Sequence, residues 1–106
     1  MAFPVIVKYA TKEVAISQQE SESGAKLIVV NHQEFFRRFG MRTRELRREH
    51  GHSQEDMIAY GFSARHWQQI EAGRAINVST LLRICAVFGT SVDRLVRGLD
   101  RGIYGD

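Results

Sequence analysis

A chain of 106 residues, 43% hydrophobic and 9% aromatic, has material for one small core. That bounds it to one domain, or one small domain with an appendage, and argues against general disorder. The formal charge of +3 is modest but unevenly spread: residues 1–30 carry three lysines against three glutamates, whereas residues 31–106 carry twelve arginines, no lysine and nine acids.

In chain order, residues 4–9 (Pro-Val-Ile-Val-Lys-Tyr) and 26–30 (Lys-Leu-Ile-Val-Val) are β-branched and strand-like, with a weaker alternation at Val14 and Ile16. The polar, glycine-ended stretch from Ser17 to Gly24 reads as a loop. Residues 1–30 are therefore expected to form a short β-strand extension. An isolated hairpin is only marginally stable, so this extension suits an arm for dimerisation or partner binding.

From Asn31 the period turns helical. Phe35, Phe36, Phe39, Thr43 and Leu46 line one side and arginines the other, up to Gly51. Gly40 interrupts the pattern, so the stretch is either two helices or one with a kink. A second helix is expected from Gln54 to Tyr60 and a third from Ala64 to Ala72. A fourth follows Asn77, a good cap, with Val78, Leu81, Leu82, Cys85 and Phe88 on one face. Gly89 ends it, and Ser91 caps a short fifth helix carrying Val92, Leu95 and Val96. The domain thus spans residues 31–97, and residues 98–106, with three glycines, read as a loosely ordered, flexible tail.

The local chemistry between Gly51 and Gly73 is the most informative. The Ser53 hydroxyl can cap the second helix while Asp56 answers three residues on, a capping-box arrangement. Gly61 supplies a left-handed residue to end that helix, and Ser63 is placed to cap the next. Two short helices joined by a tight turn, the second polar on its outer face, is how a small basic domain puts a helix into the major groove of DNA. Arginine's planar fork also suits phosphate and guanine better than lysine's point charge.

From about Phe39 to Arg97 the chain resembles the five-helix DNA-binding domain of the Cro and lambda-repressor superfamily, the xenobiotic-response-element type of helix-turn-helix. The matching pieces are Arg44-Glu-Leu-Arg47, Gly51-His-Ser-Gln54-Glu-Asp-Met, Gly61-Phe-Ser63, Ile70-Glu-Ala-Gly73 and Leu81-Leu-Arg-Ile-Cys-Ala-Val-Phe-Gly89, continuing into Thr90-Ser-Val-Asp-Arg-Leu-Val96. One departure stands out. Between Gln54 and Glu71 the chain is one residue shorter than the family pattern, and Ile58, with Ala59 beside it, stands where the family has a small residue.

The resemblance implies a mainly α, repressor-like fold and a role for each site residue. Ala64, Arg65, Gln68 and Gln69 would point to the groove. Arginine can grip guanine O6 and N7, glutamine can do the same for adenine, and the Ala64 methyl can meet a thymine methyl. Trp67 and Ile70, three apart, would face the core. Gln54 is similar to the family's phosphate-gripping glutamine, and Ser63, Arg74 and Asn77 would hold the DNA backbone with it. Arg47 and Glu71 would form a partly buried ion pair tying the first helix to the third. Val92, Leu95, Val96 and Leu99 repeat at helical spacing and offer a dimer interface, to which the strand edges at 4–9 and 26–30 would contribute.

Other classes fit less well. His32, His50, His52 and His66, with one cysteine, show no metal-ligand spacing, and no glycine-rich phosphate loop or nucleophile elbow is present. Cys85, inside an apolar periodic run, reads as a buried structural thiol. No enzyme, catalytic residue, metal or cofactor is expected. The start, Met1-Ala2-Phe3-Pro4, does not resemble a signal peptide, and no run approaches the roughly 18 apolar residues of a membrane span. The expectation is a cytoplasmic, homodimeric transcriptional regulator, a repressor on a palindromic operator of double-stranded DNA. The alternative is an antitoxin that binds a toxin through its strand-rich arm and represses its own operon. RNA is disfavoured because exposed aromatic stacking pairs are lacking.

Overall fold

The computed structural model describes residues 27–105. In it α1 (His32–Glu49), a 3₁₀ helix (Glu55–Tyr60), α2 (Ala64–Glu71), α3 (Val78–Phe88) and α4 (Val92–Val96) follow one another. No strand occurs among the described residues. Residues 27–30, expected as part of a strand over 26–30, have no regular structure; Leu27, Ile28 and Val29 are exposed, Leu27 by 93%, and Val30 is half-buried. Among the described residues no second strand stands beside this segment, and an extended segment gains little without one to pair with. The strands expected at 4–9 and around 14–16 lie outside the described residues.

Each helix starts on a side-chain oxygen that accepts one of the otherwise unpaired first-turn N–H groups. Asn31 Oδ1 accepts from the Glu34 N–H at 3.0 Å, Ser63 Oγ from His66 at 3.0 Å, Asn77 Oδ1 from Thr80 at 2.8 Å and Ser91 Oγ from Arg94 at 3.1 Å. At the head of the 3₁₀ helix both capping-box bonds form. The Ser53 N–H donates to Asp56 Oδ2 at 2.7 Å, and the Asp56 N–H donates to Ser53 Oγ at 3.1 Å. Hydrogen bonding to the charged carboxylate, first from the Ser53 N–H and then from the Ser53 side chain, lowers the Asp56 pKa.

Gly40 neither breaks nor splits α1, which runs unbroken for 18 residues. Its lack of a side chain serves packing instead. A Cβ there would stand 2.7 Å from the carbonyl oxygens of Ile70 and Glu71, so α2 ends directly against the α1 backbone. Gly73 does the same from the other side: at φ +97°, its Cβ would sit 3.2 Å from Arg37 Cα.

The second helix, expected from Gln54 to Tyr60, forms over Glu55–Tyr60 and winds as 3₁₀ over its six residues. A 3₁₀ helix rises about 2.0 Å per residue against about 1.5 Å for an α-helix, so it covers the length of roughly eight α-helical residues. Ile58, at the position of a small residue in the resemblance, is 53% exposed and displaces nothing.

The core gathers Phe39 from α1, Met57 and Phe62 around the turn, Trp67 and Ile70 from α2, Ile84 and Phe88 from α3, and Leu95 from α4. Each such side chain contributes roughly 1.5–3 kcal/mol by leaving water. Cys85 is 6% exposed among them, and burial pushes its thiol pKa up.

Residues 98–105, read as a loosely ordered tail, pack back onto α1. Leu99 and Ile103 are each 5% exposed. Arg38 Nη1 donates to the carbonyls of Leu99 (2.9 Å) and Arg101 (2.8 Å), and Arg42 Nη1 to those of Leu95 (3.2 Å) and Arg97 (2.7 Å). The Asn31 N–H donates to Ile103 O at 2.7 Å. A five-residue helix such as α4 satisfies few of its own carbonyls. The α1 arginines take them up, and the chain beyond is fixed as a result.

Candidate nucleic-acid interface

α2 has two faces of opposite character. On the inner face Trp67 and Ile70 are 0% and 1% exposed, and the Glu71 side chain is 4% exposed. The Glu71 carboxylate is where three segments meet. Arg47 of α1 donates from Nε to Oε2 at 2.6 Å and from Nη2 to Oε1 at 3.1 Å. Gln54 donates from Nε2 to Oε1 at 3.0 Å, and Trp67 from Nε1 to Oε2. The remaining fork nitrogen of Arg47 donates to His52 O at 2.8 Å.

Burial alone would raise the Glu71 pKa, but hydrogen bonds from Arg47, Gln54 and Trp67 and the Arg47 charge outweigh it and hold the pKa below the usual carboxylate value. The Arg47 pKa is raised in turn, chiefly by its hydrogen bonds to Glu71. This carboxylate therefore stays ionised and holds α2 at one angle to α1 and to the start of the 3₁₀ helix.

On the outer face Arg65, Gln68 and Ala72 are exposed, while Ala64 and Gln69 are half-buried. The side chains of Arg65, Gln68 and Gln69 have no hydrogen-bond or ion-pair partner among the described residues. Gln69 also lines an open cleft of about 460 Å³ with His66, Ile70, Arg74, Ala75 and Ile76. Sequence reasoning left Ala72 out. It stands four residues after Gln68, so helical spacing alone places it on the same stripe.

The residues expected at the DNA backbone are differently engaged. Arg74 is exposed, with no partner among the described residues. The Gln54 amide is turned by its bond to Glu71 and keeps a second N–H and its carbonyl. Ser63 and Asn77 each accept a capping bond through oxygen, which leaves the Ser63 hydroxyl proton and the Asn77 NH₂ group as donors.

The four residues expected at a dimer surface separate. Leu95 and Leu99 are 1% and 5% exposed and belong to the chain's own core. Apolar spacing marks a buried face without saying what covers it, and here the cover is the rest of the core cluster. Val92 is exposed, and Val96 lines an apolar groove of about 150 Å³ with Phe35, Phe36, Phe39, Ile76, Asn77, Val78 and Leu81.

Among the described residues no group of three or more His, Cys, Asp or Glu side chains could hold a metal ion. No helix among them is long and apolar enough to cross a membrane. A family model described as a helix-turn-helix domain matches residues 38–97, more than half of the chain. No curated protein matches it.

Proposed function

The chain belongs to the helix-turn-helix domain family, and from that premise we propose that it is a sequence-specific DNA-binding transcriptional regulator. It acts as a homodimer on a palindromic operator and represses by occluding polymerase. The observation that carries this reading is the contrast on α2: an inner face locked through Glu71, and an outer face whose polar side chains have no partner among the described residues.

In this reading α2 lies in the major groove. Arg65 grips guanine O6 and N7, Gln68 and Gln69 read adenine, and the Ala64 and Ala72 methyls meet thymine methyls. Gln54, Ser63, Arg74 and Asn77 hold phosphates on either side and set the register. Two protomers place their α2 helices about 34 Å apart on one face of the duplex. Selection of duplexes from a random pool identifies the operator. On that operator Arg65→Ala and Gln69→Ala should each cost about 1–3 kcal/mol and relax the preference at one position. Wild-type affinity in both variants would mean that α2 is not the reader.

A second reading, an antitoxin that also regulates its own operon, draws on one feature. Leu27, Ile28 and Val29 are 93%, 72% and 69% exposed in succession just ahead of α1, and an exposed apolar run suits a protein contact. A small partner that co-purifies with the native protein, and no longer does so when Leu27 and Val29 are both changed to Ser, favours this reading.

A further inference from the structure

The twelve arginines sort by what their guanidinium groups touch. Arg37 and Arg38 bind Glu34, Arg38 and Arg42 clamp backbone carbonyls, and Arg47 pairs with Glu71. Arg83 donates to Gly61 O and stacks on Phe62, while Arg97 pairs with Asp93. The others are exposed and have no partner among the described residues: Arg44, Arg48, Arg65, Arg74, Arg94 and Arg101. Arg65 and Arg74 belong to the interface already described. Arg44 and Arg48 do not.

We propose that Arg44 and Arg48 form a second phosphate-binding strip on α1, flanking the outer face of α2 and gripping the DNA backbone beyond the bases that α2 reads. The inference rests on the DNA-binding function proposed above. Its placement follows from helical spacing. Gly40 and Arg47 mark the seam where α1 meets α2. Arg44 and Arg48 stand one and two turns beyond Gly40, on the side of that seam away from Phe39 and Thr43, which are buried. On α2 the seam residue is Glu71, and the side away from Trp67 and Ile70 carries Gln68 and Ala72. Both therefore border the same solvent-facing side of the α1–α2 seam.

The charge pattern of α1 supports a polyanionic ligand. In its first half Glu34 and Arg38, four apart, form an ion pair. In its second half like charges repeat at that spacing instead, Arg44 with Arg48 and Glu45 with Glu49, and none of these groups is paired among the described residues. Such rows weaken a helix slightly relative to an interleaved order of charges. The cations border α2, while the acids are turned toward the side where Arg42 meets α4. The helix dipole favours Arg48 in the last turn but equally disfavours Glu49. Segregation by sign along one edge of the reading helix is what a phosphate backbone selects.

The test uses the full chain, the selected operator with flanking duplex, and the double variant Arg44→Gln/Arg48→Gln, with Arg94→Gln/Arg101→Gln as control. The slope of log affinity against log salt should flatten by about 0.9 for each phosphate that is no longer gripped, roughly threefold per phosphate between 50 and 200 mM salt. Base preference should not change, the control should keep the wild-type slope, and Arg44→Lys/Arg48→Lys should restore most of it. An unchanged slope in the Gln variant, while Arg65→Ala still fails to hold the operator, overturns the strip and leaves the proposed function standing. A lowered thermal midpoint with an unchanged slope also overturns it, because the pair then serves only the helix. If the wild-type chain shows no salt-dependent DNA binding, the strip and the proposed function fall together.

Discussion

The two flanks of α1 are held by different chemistry. Toward α2 the contact is a buried ion pair with forked geometry, side chains 8% and 4% exposed, sealed by a glycine against backbone. Toward α4 it is a pair of arginines reaching over to neutral carbonyls, with the Arg38 side chain 30% exposed. The α2 flank is rigid and unforgiving, since either partner left alone is a charge without compensation. The α4 flank is a set of separate, partly solvated bonds, each replaceable by water. The element that needs a fixed angle is attached by the first kind of contact, and the chain end by the second.

The largest effect should come from stranding one charge on the α2 flank. Glu71→Ala should destabilise the protein by about 3–5 kcal/mol in urea unfolding, because Arg47 is left buried and unpaired. A change below about 1 kcal/mol would break the comparison. The same flank offers a graded version through pH. The Glu71 pKa is depressed in the fold, so its stabilising contribution is complete above the ordinary carboxylate pKa of about 4.3 and is lost as pH falls through the lower folded value. Thermal midpoints taken from about pH 7 to about pH 3 should therefore drop further for wild type than for Glu71→Gln. Parallel curves would mean that other carboxylates set the acid limit. Glu34, whose pKa is lowered to about 2 first by its hydrogen bonds to Arg37 and Arg38, sits at the surface. Solvent screening makes its share of the acid response minor.

On the α4 flank, Arg42→Ala should cost only about 1 kcal/mol and act by loosening residues 97–105, visible as faster amide exchange at Leu99 and Ile103 while α2 stays protected. Exchange that speeds up equally in both regions would show that the flanks are coupled. The smallest change concerns the α1 interior. Thr43 is fully buried, and its Oγ1 has no hydrogen-bond partner among the described residues. Thr43→Val should stabilise by up to about 1 kcal/mol, measured as a shifted urea midpoint with an unchanged slope.

The sequence was most legible where a feature depends on a few neighbouring residues. Ser53 with Asp56, Ser63, Asn77 and Ser91 could be placed as caps because each bond spans only three residues. Arg47 with Glu71 came from the family resemblance. Nothing local told that Gln54 and Trp67 would donate to the same carboxylate, since that depends on how three segments meet. Periodicity showed that Leu95 and Leu99 sit on an apolar face but not which surface would cover them. The glycines of residues 98–105 read as looseness because the partners that fix this stretch, Arg38 and Arg42, lie some sixty residues earlier. The winding of Glu55–Tyr60 was equally hidden: composition distinguishes helix from coil far better than one helical pitch from another.

That change of pitch has a consequence for comparing relatives. Where two chains differ by one residue in this segment, an alignment shows a gap and suggests missing surface, yet the distance from Gln54 to Gly61 can be kept while the side chains between them rotate to new bearings. Ile58 and Tyr60, 53% and 44% exposed, would then be matched in sequence to residues that point elsewhere in a longer relative. Surface patches on this side of the molecule should therefore be compared by position in space, and a substitution copied across the gap by column number would land on the wrong face.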